Sequence, residues 1–212
     1  MDQGKFIVFE GADGSGTTTI SHEIVKHLRE KGERVIWTRE PSDGPIGKVI
    51  RDVLEKKCEH IPKALELLFR ADRLYHVETL IRPVLESGCH VVCDRYYLST
   101  IAYQSVRSTM DESITASWQL YSDMFGVSEE KNIIIQPDLW ILLDADLQTM
   151  AARRRDRGDD DQCFENDEYL ETVVSLYRHW MDFPTLKNRV LVDATQSIDD
   201  VLLECLSSVD AL

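Results

Sequence analysis

Five short apolar runs alternate along the chain with longer segments whose apolar residues recur at helical spacing. The runs predict buried strands at residues 6–10, 34–38, 90–94, 139–144 and 189–193. The longer segments predict helices: one that carries Ile20, Ile24, Val25 and Leu28 on one face, and others at residues 46–54, 62–85, 97–125, 168–183 and 198–209, with a break near Pro83. This alternation predicts an α/β fold in which a five-stranded parallel sheet is flanked by helices on both faces.

A parallel sheet of this kind indicates where chemistry is expected. Ligands of open α/β sheets bind beyond the carboxyl ends of the strands. The chain shows no internal repeat and no low-complexity linker, and a length of 212 residues suits one domain. We therefore expect a single domain over residues 1–212, with its site at that edge of the sheet.

The charge balance narrows the classes of partner. Lys and Arg number 24 against 38 Asp and Glu, which gives a formal net charge of −14. A field of that sign repels nucleic acid and anionic membranes, so we expect neither as a partner. No apolar run reaches the length of about 18 residues that a membrane span needs. The five cysteines lack zinc-site spacing and no signal peptide is evident, which favours reduced thiols and a cytoplasmic location.

A glycine-rich segment follows the first predicted strand and opens the first predicted helix. Its glycines keep the spacing of a Walker A phosphate-binding loop, G-x-x-x-x-G-K-[ST], but Thr17 stands in place of the lysine. Backbone N–H groups and the positive helix end attract phosphate without any side chain, and the Thr18 hydroxyl is placed to ligate Mg²⁺. The predicted phosphate site comprises Gly11, Ala12, Asp13, Gly14, Ser15, Gly16, Thr17, Thr18 and Thr19.

Two residue pairs add candidate chemistry. Asp94 ends the third strand and precedes Arg95, so the carboxylate can hold hydrated Mg²⁺ while the guanidinium binds phosphate; a strand-end salt bridge is the alternative. Phe69 and Arg73 share a helix face, which suits a nucleobase that is stacked and hydrogen-bonded at its edge. Taken alone, the second pair is a weak signal, because a core phenylalanine beside a surface arginine is the commoner outcome.

An arginine-rich patch follows the fourth strand. Arg153, Arg154, Arg155 and Arg157 lie in a segment of about residues 147–168 that also holds a run of aspartates. One interpretation is a mobile lid that closes arginines over a transferring phosphoryl group. The other is a solvated basic face neutralised by those aspartates, and the pattern alone does not separate the two.

Taken together, these motifs resemble those of the thymidylate kinases, nucleoside monophosphate kinases that phosphorylate dTMP. The similar segments are FEGADGSG from Phe9, TREP from Thr38, IGKVIR from Ile46, LLFRADR from Leu67, DRYYLSTIAYQ from Asp94, PDLWILLD from Pro137 and DATQ from Asp193. The resemblance covers nearly the whole chain. It implies a three-layer P-loop kinase fold with a mobile lid, ATP and dTMP as substrates, Mg²⁺ as cofactor, and a homodimer with Trp118 and Tyr121 as candidate interface residues.

The resemblance also implies roles for single residues. Phe69 would stack on thymine, Asp13 would contact the 3′-hydroxyl of dTMP, and Tyr103 would disfavour a ribose 2′-hydroxyl. The implied dTMP-binding residues are Asp13, Arg39, Arg51, Phe69, Arg73, Arg95, Thr100, Tyr103 and Gln104. The residues implied near adenine are Ala194, Thr195 and Gln196, and those implied to hold the metal are Thr18 and Asp94. The implied catalytic residues are Asp94, Arg95, Arg153 and Arg155.

Two departures from the family pattern keep alternatives open. Thr17 removes the loop lysine, and the lid pattern D-R-F-E reads Asp161-Gln162-Cys163-Phe164-Glu165, without the arginine. One charge-assisted hydrogen bond is worth ~1.5–3 kcal/mol, whereas a transition-state arginine is worth ~10³–10⁵ in rate, so we expect a lid arginine to compensate. The alternatives are a nucleoside monophosphate kinase of another base preference and a catalytically impaired, nucleotide-binding regulatory protein.

Overall fold

The sheet has the five parallel strands that the apolar runs predict. The computed structural model describes residues 3–58, 61–125, 134–158, 167–184 and 186–212. Its strands are β1 (Phe6–Glu10), β2 (Val35–Arg39), β3 (His90–Asp94), β4 (Leu139–Asp144) and β5 (Arg189–Asp193). All four neighbouring pairs are parallel, in the order β2-β3-β1-β4-β5. The predicted strands are confirmed, with β2 displaced by one residue, and so is the predicted fold class.

Helices fill the intervals between the strands. They are α1 (Thr17–Glu30), α2 (Pro45–Leu54), α3 (Pro62–His76), α4 (Arg82–Glu86), α5 (Tyr97–Gln104), α6 (Met110–Phe125), α7 (Leu147–Arg157), α8 (Asp167–Met181) and α9 (Ile198–Val209). A π-helical segment, Val77–Ile81, joins α3 to α4, so the irregularity expected at Pro83 lies in the turn before it. Proline lacks the N–H that an α-helical turn needs, which accounts for an altered pattern at that place.

The long helix expected over residues 97–125 is two helices. Between α5 and α6 the Ser113 hydroxyl accepts a hydrogen bond from the Arg107 N–H at 2.9 Å and donates to the Thr109 carbonyl at 2.9 Å. These bonds satisfy backbone groups that a continuous helix would have paired internally. Hydrophobic periodicity on both sides of the loop concealed this interruption.

Helices cover both faces of the sheet. All five residues of β1 are buried, and since successive side chains of a strand point to opposite faces, both faces must be covered. On one side α1 packs against α9, and on the other α5 and α6 pack against α8. No helix in the described ranges has the length and apolar character required to cross a bilayer.

Strand register assembles the functional edge of the sheet. Phe9 of β1 is paired with Asp94 of β3, and Arg39 of β2 is paired with the same residue from the other side. The loops that follow these strands therefore emerge side by side. This edge carries the residues described next.

Candidate active site

The phosphate loop is a tight turn closed by glycines. Gly14 has φ 91° and a Cβ there would lie 2.6 Å from the Met150 carbonyl oxygen, so no larger residue fits without displacing α7. Gly16 precedes α1 with φ 99° and provides no side-chain cap. The first N–H groups of α1 are therefore available to an anion. Thr17 is buried, with only 5% of its surface exposed, and does not extend from the loop as a lysine would.

One corner of the site has oxygen ligands suited to a magnesium ion. The Thr18 hydroxyl donates to Asp94 Oδ2, and Asp94 is buried at the end of β3. The other carboxylate oxygen, Oδ1, is buried with no hydrogen-bond partner among the described residues. A buried carboxylate oxygen without a partner is costly, and a hard cation would remove that cost. The two residues predicted to hold the metal are thus adjacent.

Two of the four arginines of α7 bond the backbone of the phosphate loop. Arg153 donates from Nη1 to the Ser15 carbonyl at 3.2 Å and from Nη2 to the Ala194 carbonyl at 2.8 Å. Arg154, which is buried, donates to the Asp13 carbonyl at 3.0 Å. These bonds join the loop after β1 to the turn after β5. Both arginine side chains therefore lie across the loop and do not extend into solvent.

The remaining two arginines of α7 differ in position. Arg157 is exposed and forms an ion pair with Asp13 Oδ1 at 3.3 Å. Arg155 is exposed, and no contact with the loop is seen for it, although it was expected to be catalytic. The sequence predicts Arg154 and Arg157 only as members of the patch, because helix phase decides which residues face the loop. The lid residues 161–165 lie outside the described residues.

A cavity of about 250 Å³ opens above the loop, and we call it the donor cavity because residues predicted to bind ATP line it. Its walls combine the loop, α7 and the turn after β5, and its lining residues are Gly14, Ser15, Gly16, Thr19, Ile20, Arg153, Asp156, Arg157, Ala194, Gln196, Ile198 and Val201. Ala194 and Gln196, which the resemblance implies to lie near adenine, line this cavity. Thr195 instead turns back on Asp193, bonding its carboxylate through the N–H at 2.9 Å and the hydroxyl at 2.6 Å, and these bonds lower the pKa of Asp193.

A second cavity of about 180 Å³ lies on the other side of the loop, and we call it the acceptor cavity because residues predicted to bind dTMP line it. It is lined by Asp13, Glu40, Pro41, Leu54, Phe69, Arg73, Arg95, Tyr96, Ser99, Thr100, Tyr103, Gln104 and Leu170. Seven of the nine residues predicted to bind dTMP are in that set, drawn from three separate segments of the chain. The cavity has one aromatic wall, buried hydrogen-bond donors and a cation near the phosphate loop.

Arg95 is held at the junction of the two cavities. Its backbone has φ 68°, in the left-handed region that is unusual for a residue other than glycine. Its Nη1 donates to the Gly11 carbonyl at 2.7 Å, its Nη2 lies 3.9 Å from Asp13 Oδ1, and its guanidinium carbon lies 5.6 Å from the centre of the Tyr103 ring. The strained backbone and these contacts aim the charge between the phosphate loop and the acceptor cavity.

The structure does not bring two predicted dTMP arginines into the acceptor cavity. Arg51 is half-buried and donates to the carbonyls of Pro41 and Ser42 at 2.9 and 2.6 Å, beside the cavity wall. Arg39 is exposed and pairs with Asp43 at 3.0 Å. Arg51 therefore supports the backbone of the loop after β2, whereas Arg39 lies on the surface, outside the acceptor cavity.

Glu10 is a site residue that sequence reasoning missed. It is buried directly before the phosphate loop, where its carboxylate accepts the N–H groups of Tyr96 and Ser99 at 2.9 and 3.3 Å and the hydroxyls of Ser99 and Tyr177 at 2.6 and 3.2 Å. Burial raises the pKa of Glu10 to about 7, against the opposing effect of these bonds and of Arg95. Its position just ahead of Gly11 was the available signal, since a carboxyl inside an apolar strand needs a reason.

The chain is similar in sequence to known thymidylate kinases. The family model described as thymidylate kinase matches residues 9–204. A thymidylate kinase of Desulfotalea psychrophila is 36% identical over 99% of this chain and 96% of its own length. One of Caldicellulosiruptor saccharolyticus is 36% identical over 99% and 98%, and a probable thymidylate kinase of Caldivirga maquilingensis is 33% identical over 97% and 93%.

Proposed function

The chain belongs to the thymidylate kinase family, and on that premise we propose that it transfers the γ-phosphoryl group of ATP to dTMP, giving dTDP and ADP. The observation that carries the proposal is the acceptor cavity beside the phosphate loop. Phe69 forms part of its wall, and the buried Arg73 keeps Nε and Nη1 without partners among the described residues. A flat wall and unsatisfied donors suit a pyrimidine with a carbonyl oxygen at its edge.

The chemistry requires positioning and positive charge. An oxygen of the acceptor phosphate attacks the γ-phosphorus in line, and this oxygen is already nucleophilic near neutral pH, so no general base is needed. Arg95 orients the acceptor phosphate from the junction of the cavities. The N–H groups at the start of α1 bind the donor phosphates, and Arg153 holds the loop in the shape that presents them.

The magnesium site is part of the proposal. Thr18 and the unpartnered Asp94 Oδ1 are the groups that would hold Mg²⁺, directly or through water. The ion would neutralise charge on the transferring phosphoryl group. Asp94 would then act by fixing the cation, and Thr18 by supplying a hydroxyl oxygen from the first turn of α1.

The charge that the missing lysine would supply comes, in our proposal, from α7. Arg153 and Arg157 line the donor cavity, and Arg157 pairs with a carboxylate of the loop itself. Either guanidinium can exchange a protein oxygen for a phosphate oxygen without a large movement of α7. A catalytic role for Arg155 stays a prediction, because its side chain would reach the loop only if the helix rotated.

The substrate is tested by measuring ADP release with dTMP, dUMP, dCMP and dGMP as acceptors. The proposal expects dTMP to give the highest kcat/KM. Turnover of dCMP or dGMP far above that of dTMP would contradict it and favour a kinase of another base preference.

Thr17 gives the regulatory alternative its specific observation. A regulatory protein should be stabilised by nucleotide in a thermal shift assay yet show no turnover above background. The Thr17→Lys variant sharpens the test: we expect it to raise the wild-type kcat by less than about tenfold, because arginines already supply the charge. An inert wild type whose activity appears only with the lysine would support the regulatory reading.

The assembly and the compartment are further parts of the proposal. A homodimer in the cytoplasm fits the family and the reduced cysteines, and Cys58, Cys89, Cys93 and Cys205 are free thiols. Trp118 and Tyr121, the candidate interface residues, are partly buried and pack against the core: the Trp118 ring lies 4.3 Å from Phe183 and 4.7 Å from Trp180, centre to centre. They hold α6 against α8, so they would affect an interface indirectly, by setting the position of α6.

A further inference from the structure

A buried series of polar side chains leads from β2 to the acceptor cavity. Thr38 Oγ1 lies 2.7 Å from His76 Nε2, His76 Nδ1 lies 3.3 Å from Glu40 Oε1, and Glu40 Oε2 lies 2.6 Å from Arg73 Nη2. Each of the four residues has at most 9% of its surface exposed. Only Arg73 has a role in the mechanism above. Burying the other three is costly unless they are hydrogen-bonded, and their hydrogen bonds here run to one another and to Arg73.

The chemistry of the groups fixes the direction of these hydrogen bonds. An ionised carboxylate only accepts, so Glu40 takes one N–H from Arg73 and another from His76 Nδ1. A neutral imidazole protonated at Nδ1 has its lone pair on Nε2, which accepts the Thr38 hydroxyl proton. A single tautomer of His76 therefore satisfies both of its neighbours. Thr38 and His76 together hold the Glu40 carboxylate in one orientation.

That orientation determines where Arg73 points. Arg73 Nη2 also donates to Thr100 Oγ1 at 2.9 Å and to the Tyr96 carbonyl at 3.2 Å, and its guanidinium lies 5.3 Å from the centre of the Tyr96 ring. A guanidinium is planar and rigid, so fixing Nη2 also fixes Nη1 and Nε. Those two donors are buried and have no partner among the described residues. They are held ready for an acceptor atom of a ligand.

We propose that Glu40, oriented by His76 and Thr38, is a positioning residue that sets base selectivity by aiming the unpartnered donors of Arg73 at a pyrimidine carbonyl. Thymine and uracil present a carbonyl oxygen at ring position 4, where cytosine presents an amino group. Donors facing an amino group remain unsatisfied, and a site built for an acceptor rejects such an analogue strongly. The inference rests on the proposed function, since it takes dTMP as the occupant of the acceptor cavity.

The test measures equilibrium binding of dTMP, dUMP and dCMP in the absence of ATP, by calorimetry. The Glu40→Gln variant keeps the shape of the side chain and removes its charge. We expect its Kd for dTMP and for dUMP to rise together by about tenfold or more, while its Kd for dCMP changes much less. Selectivity for a carbonyl over an amino group would then fall, with the ratio of dTMP to dUMP affinity unchanged.

Variants of His76 are a second test of this loss of base selectivity, with a smaller expected change. His76→Asn keeps an N–H donor near the position of Nδ1, and His76→Leu removes it. The proposal expects the asparagine to retain most of the dTMP-over-dCMP preference and the leucine to lose it. This comparison decides the question by itself if Glu40→Gln does not fold.

Glu66→Gln is the matched control. Glu66 is a buried glutamate of the same helix as Arg73, but it pairs with Lys63 at 2.7 Å and Arg70 at 3.6 Å and does not line the cavity. It should lose stability without any change in base preference. The inference is overturned if Glu40→Gln keeps the wild-type dTMP-to-dCMP ratio, or weakens all three nucleotides in parallel. A failure of the proposed function would appear differently, as a wild-type protein that binds none of the three or prefers dCMP.

Discussion

The two cavities of this protein solve the placement of charge in opposite ways. In the acceptor cavity Glu40 and Arg73 are buried and paired with each other. In the donor cavity the arginines are half-buried or exposed, and Arg153 bonds backbone carbonyls. Buried pairs are rigid and specify a shape, whereas bonds to carbonyls are exchanged easily for bonds to phosphate. The difference indicates that the acceptor is selected by a preformed site and that transfer depends on groups that change partner.

The largest effect on catalysis should come from the donor side. We expect Arg153→Ala to lower kcat by about tenfold to a hundredfold, with a smaller change in dTMP affinity, because one charge-assisted contact is lost near the transferring group. Initial rates at saturating ATP and varied dTMP separate the two parameters.

Arg155→Ala is the internal comparison for that experiment. It removes the same charge from the same helix, but Arg155 is exposed and no contact with the loop is seen. If the loss of kcat is as large for Arg155→Ala, the contact geometry of α7 is not what matters. If neither variant changes kcat, α7 has no part in the mechanism.

The second prediction concerns Glu10, whose partners Tyr96 and Ser99 line the acceptor cavity, and the dependence of stability on pH. Glu10 has its pKa raised to about 7 from an ordinary value of 4.5, so between those pH values the folded chain binds more protons than the unfolded chain. The free energy of unfolding from this group therefore falls as pH rises through about 7, by roughly 3 kcal/mol in total. Urea unfolding at pH 5 and pH 8 should show this loss in the wild type and a smaller one in Glu10→Gln.

Glu171→Gln is the control for the pH experiment, since Glu171 is an exposed residue of α8. Its unfolding free energy should follow the wild type at both pH values. An identical pH dependence in Glu10→Gln and the wild type would mean that Glu10 titrates alike in the folded and unfolded chains.

The smallest effect should come from the arginines beside the acceptor cavity. Arg39→Ala should change kcat/KM for dTMP by less than about threefold, because an exposed ion pair such as that with Asp43 contributes little. Arg51→Ala should have the larger effect, through the two carbonyls that it holds. A loss with Arg39→Ala that exceeds the loss with Arg51→Ala would place Arg39 on the substrate after all.

The sequence predicted the elements better than the contacts between them. The apolar runs located β1, β3 and β4 to the residue, because burial on both faces leaves a local pattern. They also located β5, although this edge strand is mostly exposed. The interruption between α5 and α6 was missed, since it depends on hydrogen bonds of Ser113 that periodicity does not record.

The same distinction holds for the site. Resemblance to the family pointed to Phe69, Arg73, Arg95 and Tyr103, and all four line the acceptor cavity. Nothing in the local pattern indicated that Glu40 would meet His76, because the two lie 36 positions apart and only the fold brings them together. The choice among the arginines of α7 was equally hidden, because a shift of one residue turns the helix by about 100°.

The central claim is that arginines of α7 complete a phosphate loop without its lysine, so that this chain transfers phosphate to dTMP. A single-turnover experiment with γ-labelled ATP and excess dTMP tests it most directly, by following the label. We predict that the label appears in dTDP, faster than it is released as inorganic phosphate, and that Arg153→Ala slows this transfer. Label found only in inorganic phosphate, or remaining in ATP that the protein binds, would contradict the account.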